Sequence, residues 1–301
     1  MSHLLAALAC SLAPSFDRFS ARAAGDWRGA SYTWSQQEAP GAHALSVAPG
    51  YVTVPRSSAA STETVMRSCG GAVQGLRETH DGEERPAVTL NRADDGLVYF
   101  DDGSWTRVPV RLAAADDLLC HSGAFGLSAS VSHERLRQRV DLAMVGGAPV
   151  IADVRVESEA AAAPAAAVER LLRERRLQVV TEARAWEGGA AAKMITAHAP
   201  SNSAWSALRT RWSVSEESIP GGAELVPSAS DGVVYLPGGL WVEVRNGGAA
   251  APLASDRTFA VVIGSLCTES AVVKELIHNY RGENMELQTV MLREISACED
   301  L

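Results

Sequence analysis

The sequence predicts an all-β protein built as two tandem antiparallel β-barrels. Three observations lead there. Segments of roughly four to eight residues, rich in Val, Tyr, Trp and Thr, are punctuated by Gly, Asp-Gly and Pro-Gly pairs. Long helical periodicity is nearly absent. One stretch also occurs twice: "DDGLVYFDDGSW" at 94–105 returns as "SDGVVYLPGGLW" at 230–241.

Along the chain, "MSHLLAALACSLAP" is apolar but lacks the positive start of a secretory signal. It reads as a transit-peptide remnant over residues 1–13, a short N-terminal helix or a frayed end. Trp27-Arg28-Gly29 marks the first strand start, and the stretch 48–71, rich in Ser, Thr, Gly and Pro, reads as a loop-like insertion. The first repeat follows. Asp95, Gly96, Val98, Tyr99, Gly103, Trp105 and Val108 match Asp231, Gly232, Val234, Tyr235, Gly239, Trp241 and Val244 at one constant offset. On the same diagonal Gly146 meets Gly282, each inside a turn flanked by strand-like segments, so both copies also carry a downstream hairpin. The run "VESEAAAAPAAAVERLLRERRL" between the copies reads as an Ala/Pro-rich linker with a short helix. Trp186-Glu187-Gly188 then starts the second copy, in preference to Trp205. The expected barrels are 14–157 and 158–301. Copies of about 140 residues suit eight to ten strands enclosing side chains or one ligand.

The formal charge of −9 and the pI of about 5.3 argue against a nucleic-acid partner and a polybasic membrane surface. No run approaches the ~20 apolar residues that span a bilayer, so no membrane insertion is expected. The five cysteines form no C-x-x-C pair and read as packed, reduced thiols in an intracellular compartment.

Catalytic and metal motifs are missing: no G-x-S-x-G, Walker loop, G-x-G-x-x-G after a strand, or H-E-x-x-H. "SHERLRQ" begins like the last but has Arg137 at the fifth position. Cys120 and His121 are adjacent, yet neighbours on a strand point to opposite faces, which leaves them a poor nucleophile pair. The aspartates of 94–102 invite a calcium reading, but the second copy puts Pro237-Gly238 where the first has Asp101-Asp102. A hairpin turn explains both versions. No catalytic residue, metal or cofactor is therefore expected. Trp105 and Trp241, kept in the same turn context, read as core. Arg135, Arg137 and Arg139 alternate along a strand and share a face. That face reads either as solvated or as a basic stripe gripping an acidic partner, in the first copy alone.

The W-x-G strand start (Trp27, Trp186), the D-G-x-V-Y-x-x-x-G-x-W turn (Tyr99, Trp105; Tyr235, Trp241) and the closing hairpin ending in "RE" or "VE" resemble the lipocalin-like proteins of cyanobacteria and plastids. That family includes a domain of unknown function and the plant biogenesis factor required for chloroplast ATP synthase. The resemblance implies two lipocalin-like barrels and a non-catalytic assembly factor in the chloroplast stroma. Its partners would be protein subunits of a plastid complex, the ATP synthase head. The alternative is a lipocalin-type binder of a small apolar ligand such as a bilin, or a chromophore lyase.

Overall fold

The computed structural model describes residues 14–35, 60–94, 96–110, 119–128, 135–145, 148–159, 188–198, 212–227, 233–236, 239–246, 258–267, 272–282 and 286–297. Among the described residues one helix, α1 (Phe16–Ala23), precedes seventeen strands. The first sheet holds β1 (Gly25–Ser35), β2 (Ala60–Cys69), β3 (Ala72–His80), β4 (Glu83–Arg85), β5 (Leu90–Asn91), β6 (Leu97–Tyr99), β7 (Trp105–Arg107), β8 (Leu119–Ser128), β9 (Arg135–Val145) and β10 (Ala148–Glu159). Its order is β4-β3-β2-β1-β10-β9-β8-β7-β6, with β5 on β3. The second sheet holds β11 (Ala190–His198), β12 (Trp212–Ile219), β13 (Val233–Leu236), β14 (Leu240–Asn246), β15 (Thr258–Cys267), β16 (Val272–Arg281) and β17 (Glu286–Ala297). Its order is β12-β11-β17-β16-β15-β14-β13. The chain is all-β, and every ladder among the described residues is antiparallel.

The repeated stretch forms the same hairpin twice. Tyr99 pairs with Trp105 and Val98 with Thr106; Tyr235 pairs with Trp241 and Val234 with Val242. Gly103 and Gly239 both take positive φ, 89° and 75°, which a side chain would strain. The downstream hairpins are β9–β10 and β16–β17.

Three expectations change. Neither sheet closes into a barrel. No ladder joins β6 to β4 or β5 among the described residues; instead the Arg107 side chain spans that gap, donating to the Thr89 carbonyl at 2.7 Å and to Asp94 at 2.6 Å. The strands at that end are only two or three residues long, too short to carry a continuous ladder around. Residues 60–69 of the supposed insertion are strand β2, paired on both sides. Its Ser and Thr residues look like loop but alternate like strand. Helix α1 was not foreseen, although Phe16, Phe19, Ser20 and Ala23 fall on one buried face. The linker and its helix, Trp186, Trp205 and residues 1–13 lie outside the described residues. β10 itself runs to Glu159, past the expected boundary.

Three apolar clusters order the molecule. One lies under α1, where Phe16 and Phe19 stack on Tyr99 at 5.2 Å beside Trp27 and Trp105. One lies inside the second sheet, around Trp241, whose ring occupies the space over Gly264; a Cβ there would sit 1.9 Å from the indole. The third joins the two sheets. Val98, Phe100, Leu136, Val140 and Val154 of the first meet Val261, Ile263, Leu276, Tyr280 and Leu292 of the second. Each side chain fully buried there contributes ~1.5–3 kcal/mol. Polar contacts fix the register across this seam. Lys274 reaches Asp102 at 2.6 Å and Glu294 at 3.1 Å, Ser265 donates to Gln138, and the Leu287 N–H donates to the Val110 carbonyl at 2.9 Å.

His278 sits wholly buried in that seam. Its Nδ1 lies 3.0 Å from the Val261 carbonyl, which can only accept, so Nδ1 carries the proton. In the neutral ring Nε2 then accepts from the Thr106 hydroxyl at 3.0 Å. Burial lowers its pKa to about 4, against which the Val261 bond pulls upward. The folded ring thus binds its second proton less readily than the unfolded one, so stability falls as pH drops from about 6.5 and levels off below about 4. The loss is about 3 kcal/mol. Urea unfolding across pH 4–7 should show this slope in the wild type, and the wild-type-minus-variant difference should stop changing with pH above pH 7 for His278→Gln.

Candidate functional site

The inner face of the first sheet is its charged one. Along β9, Arg135, Arg137 and Arg139 point inward, while Leu136 and Val140 face the other sheet. Arg137 is 5% exposed and Arg139 7%. Neither lies on a solvated face, because the sheet curls around them. β10 answers with Asp153, Arg155, Glu157 and Glu159 at the same alternation.

At the α1 end, Arg135 pairs with Glu159 through two nitrogens and donates to the helix's last carbonyls, Ala21 at 2.9 Å and Arg22 at 3.0 Å. Asp101 holds the other end, accepting from the Ser15 N–H at 2.7 Å and pairing with Arg18 at 3.2 Å. One level inward, Arg137 donates to Glu157 Oε2 at 2.5 and 2.8 Å, and the Thr64 hydroxyl donates to Oε1 at 2.9 Å. Arg137 also lies 4.5 Å over the Trp27 ring, and Arg139 5.7 Å over Trp105. Burial alone would raise the Glu157 pKa; Arg137, Arg155 and these hydrogen bonds outweigh it and hold the carboxyl below its usual range. For Arg155, burial is likewise outweighed by Asp153, Asp141, Glu78 and Glu157, which push its pKa up.

The next level contains Glu78 and His80 of β3, Thr62 of β2, Ser31 of β1, Arg139 and Arg155. Arg139 pairs with Asp141 at 2.9 Å and Arg155 with Asp153 at 3.0 Å. Glu78 crosses the interior to Arg155 at 2.6 Å and lies 3.8 Å from Arg139; His80 is 3.4 Å from it and meets Ser31 at 3.2 Å. Here the hydrogen bonding is incomplete. Thr62 Oγ1, Glu78 Oε2, His80 Nε2 and Trp105 Nε1 are buried without a hydrogen-bond partner. Asp141, Asp153 and His80 keep some exposure, so the level opens to solvent at its far end from α1.

The second sheet shows what is special to the first. With the strands superposed on the repeat, Val273 stands for Arg137, Ile295 for Glu157, Ile219 for Thr64 and Ala190 for Trp27. All four belong to or pack on its apolar interior. The ladders thus put Ala190, not Trp186, in the place of Trp27. Glu275, Arg293 and Glu217 replace Arg139, Arg155 and Thr62, with Arg293 at 3.1 Å from Glu275 and 2.5 Å from Glu217. The level of Arg137 and Glu157 is thus apolar in the second copy, while the next level keeps a charged cluster of its own.

The stripe Arg135, Arg137 and Arg139 is therefore brought together, but each guanidinium is matched by a carboxylate of its own sheet. Tyr99, Trp27, Trp105 and Trp241 are buried. Tyr235 is placed by its backbone on β13, and Cys120 and His121 hold successive positions on β8. The sequence reading missed Thr62, Glu78, His80, Arg155 and Glu157. For Glu157 a signal existed: in the β9–β10 hairpin it stands opposite Arg137, acid against base, whereas Arg155 stands opposite Arg139. Glu78 has none, since only the curl brings β3 to β10. Among the described residues no group of three metal-ligating side chains forms a metal site.

The buried pair gives a direct test. Arg137→Val or Glu157→Ile alone strands a buried charge and should cost about 3–5 kcal/mol. The double variant installs the second sheet's own pair and should return to within about 1–2 kcal/mol of wild type, since a packed apolar pair often replaces an ion pair without loss. Urea unfolding of the three proteins reads both.

The chain matches no protein-family profile and no curated protein. Among solved structures, the tesB protein of Mycobacterium avium subsp. paratuberculosis aligns over 66% of this chain and 95% of its own, at 9% identity and a TM-score of 0.12. A likeness of that size carries no argument about fold or function.

Proposed function

We propose that the chain is a non-catalytic binding protein whose receptor is the polar interior of the first sheet. The observation that carries this reading is the set of buried, unpartnered polar atoms on Thr62, Glu78, His80 and Trp105. Each such atom costs about 1–3 kcal/mol when left unmade, and native interiors keep few of them without water or a ligand. Among the described residues the second sheet has no strand corresponding to β3, and so no counterpart of Glu78 and His80, although Trp241 Nε1 is unpartnered like Trp105 Nε1. Glu78 bridging to Arg155 at 2.6 Å crosses this interior with charge, which suits a polar ligand better than an apolar tetrapyrrole.

The assembly-factor reading, with chloroplast ATP synthase head subunits as partners, rests on the resemblance. It would have to use surfaces other than Arg137 and Arg139, which are buried and paired.

The test is the indole N–H resonance of Trp105, assigned with Trp105→Phe, in the full chain titrated with a set of small polar metabolites. A saturable shift of that resonance is expected for at least one. If none moves it, while a pull-down from chloroplast extract recovers ATP synthase head subunits, the receptor reading falls and the assembly reading stands.

A further inference from the structure

The two sheets match strand for strand except at one edge. In the first, β3 pairs along the outer edge of β2 from Thr62 to Cys69, and β4 and β5 pair with β3. In the second, β12 takes the place of β2, and no described strand lies beyond it. After Ile219 the chain turns, with the Ala223 N–H donating to the Pro220 carbonyl at 3.2 Å. It then sends Leu225 and Val226 into the apolar interior rather than back along β12. Burial shows the consequence. Thr62, Thr64 and Met66 of β2 are buried, whereas no residue of β12 is.

β12 is also the longest edge strand among the described residues. It has eight residues, against four for β13, three for β4 and β6 and two for β5. Proteins commonly blunt such an edge with shortness, Pro, a bulge or Lys. β12 uses none of these: its ladder to β11 is unbroken from Trp212 to Ile219, and "WSVSEESI" holds neither Pro nor a basic residue.

What the edge does carry is Glu216 and Glu217, which as neighbours on a strand point to opposite faces. Glu217 lies on the inner face, half exposed, and meets Arg293, which in turn meets Glu275 at 3.1 Å. Glu216 ends a row on the other face. It stands opposite Lys193, Lys193 opposite Glu294, and Glu294 opposite Lys274, which reaches across the seam to Asp102 at 2.6 Å. On both faces acid and base alternate, and on both the last charge at the edge is an acid. Opposite charges on facing strands stabilise a sheet and like charges destabilise it. A further strand is therefore favoured if it sets a base against each carboxylate. A second copy of this chain does not suit, because β12 laid on β12 gathers four carboxylates within a few residues. The two acids bar self-pairing and select a basic strand.

We propose that the outer edge of β12, over Ser213–Ser218, takes an extended basic segment of another protein as an added strand, with two adjacent Lys or Arg residues of that segment set against Glu216 and Glu217. Main-chain hydrogen bonds along the edge supply the grip, and the two carboxylates, one on each face, fix the register. This surface is separate from the interior of the first sheet, so each of the two readings stands or falls by its own test.

The experiment uses the full chain and a short labelled peptide alternating Thr and Val around a central Lys-Arg pair. Binding is read by fluorescence anisotropy and by hydrogen exchange of the β12 amides. Two further peptides carry N-methyl groups on one or the other alternate set of residues, since only alternate N–H groups of an added strand point at the edge. A fourth has Glu-Glu at its centre. Saturable binding of the Lys-Arg peptide is expected, with slowed exchange over Ser213–Ser218. One N-methylated form should bind like the parent and the other should not. The Glu-Glu peptide should not bind. The variant Glu216→Gln/Glu217→Gln, which keeps the shape of both side chains, should bind the Lys-Arg peptide about tenfold more weakly. No binding of the Lys-Arg peptide, binding by both N-methylated forms, or unchanged affinity in the double variant each overturns the assignment. A concentration-dependent dimer of the full chain that protects the same β12 amides makes a second copy the occupant and overturns it too.

Discussion

The interior of the first sheet is arranged around the ion pair between Arg137 and Glu157. It lies at the centre of a sheet interior that hydrophobic packing alone would have filled differently, as the second copy does with Val273 and Ile295. Once a guanidinium is committed to that position, its surroundings follow. Glu157 must sit opposite it in the β9–β10 register. Thr64 must supply the last hydrogen bond, and Trp27 offers its ring face to the cation. Removing water raises the strength of every one of these contacts and the cost of any that is missing. The polar interior is therefore a network in which satisfaction at one level throws the unsatisfied level, around Glu78, into relief.

The two copies share backbone topology and differ in what they enclose. Their hairpins superpose pair by pair, and both turn the opposite face toward a common core. The outer faces thus act as one apolar seam, closed by Lys274 with Asp102 and by His278 with Thr106. The second sheet is what the first buries against, and the first alone has the Arg137–Glu157 pair where the second has Val273 and Ile295.

The parts legible in the sequence are those set by local backbone need or by repetition. Gly103 and Gly239 take positive φ, so the repeated turn could be read directly. The alternation of Arg135, Arg137 and Arg139 gave their common face. It could not give which face was inside, because a period of two is the same from either side. That depends on the curl, and the curl depends on contacts such as Glu78 with Arg155, far apart in sequence. β2 was hidden for a related reason: its Thr62 and Thr64 have the composition of a loop, yet hydroxyls are what a charged interior needs. Trp27 and Trp186 were matched on spelling, whereas the ladders align by register.

The clasp on α1 bears on how the chain is made. An eight-residue helix holds little structure by itself. Its last carbonyls are bound by Arg135, a residue 114 positions beyond Ala21, and that guanidinium is itself steadied by Glu159 at the end of β10. During synthesis the segment emerges before β1–β10 and acquires its anchor only when the whole first sheet is out of the ribosome. Until then Phe16 and Phe19 have no pocket. The helix is made before the sheet that fastens it, and so reports that the sheet beneath it is finished.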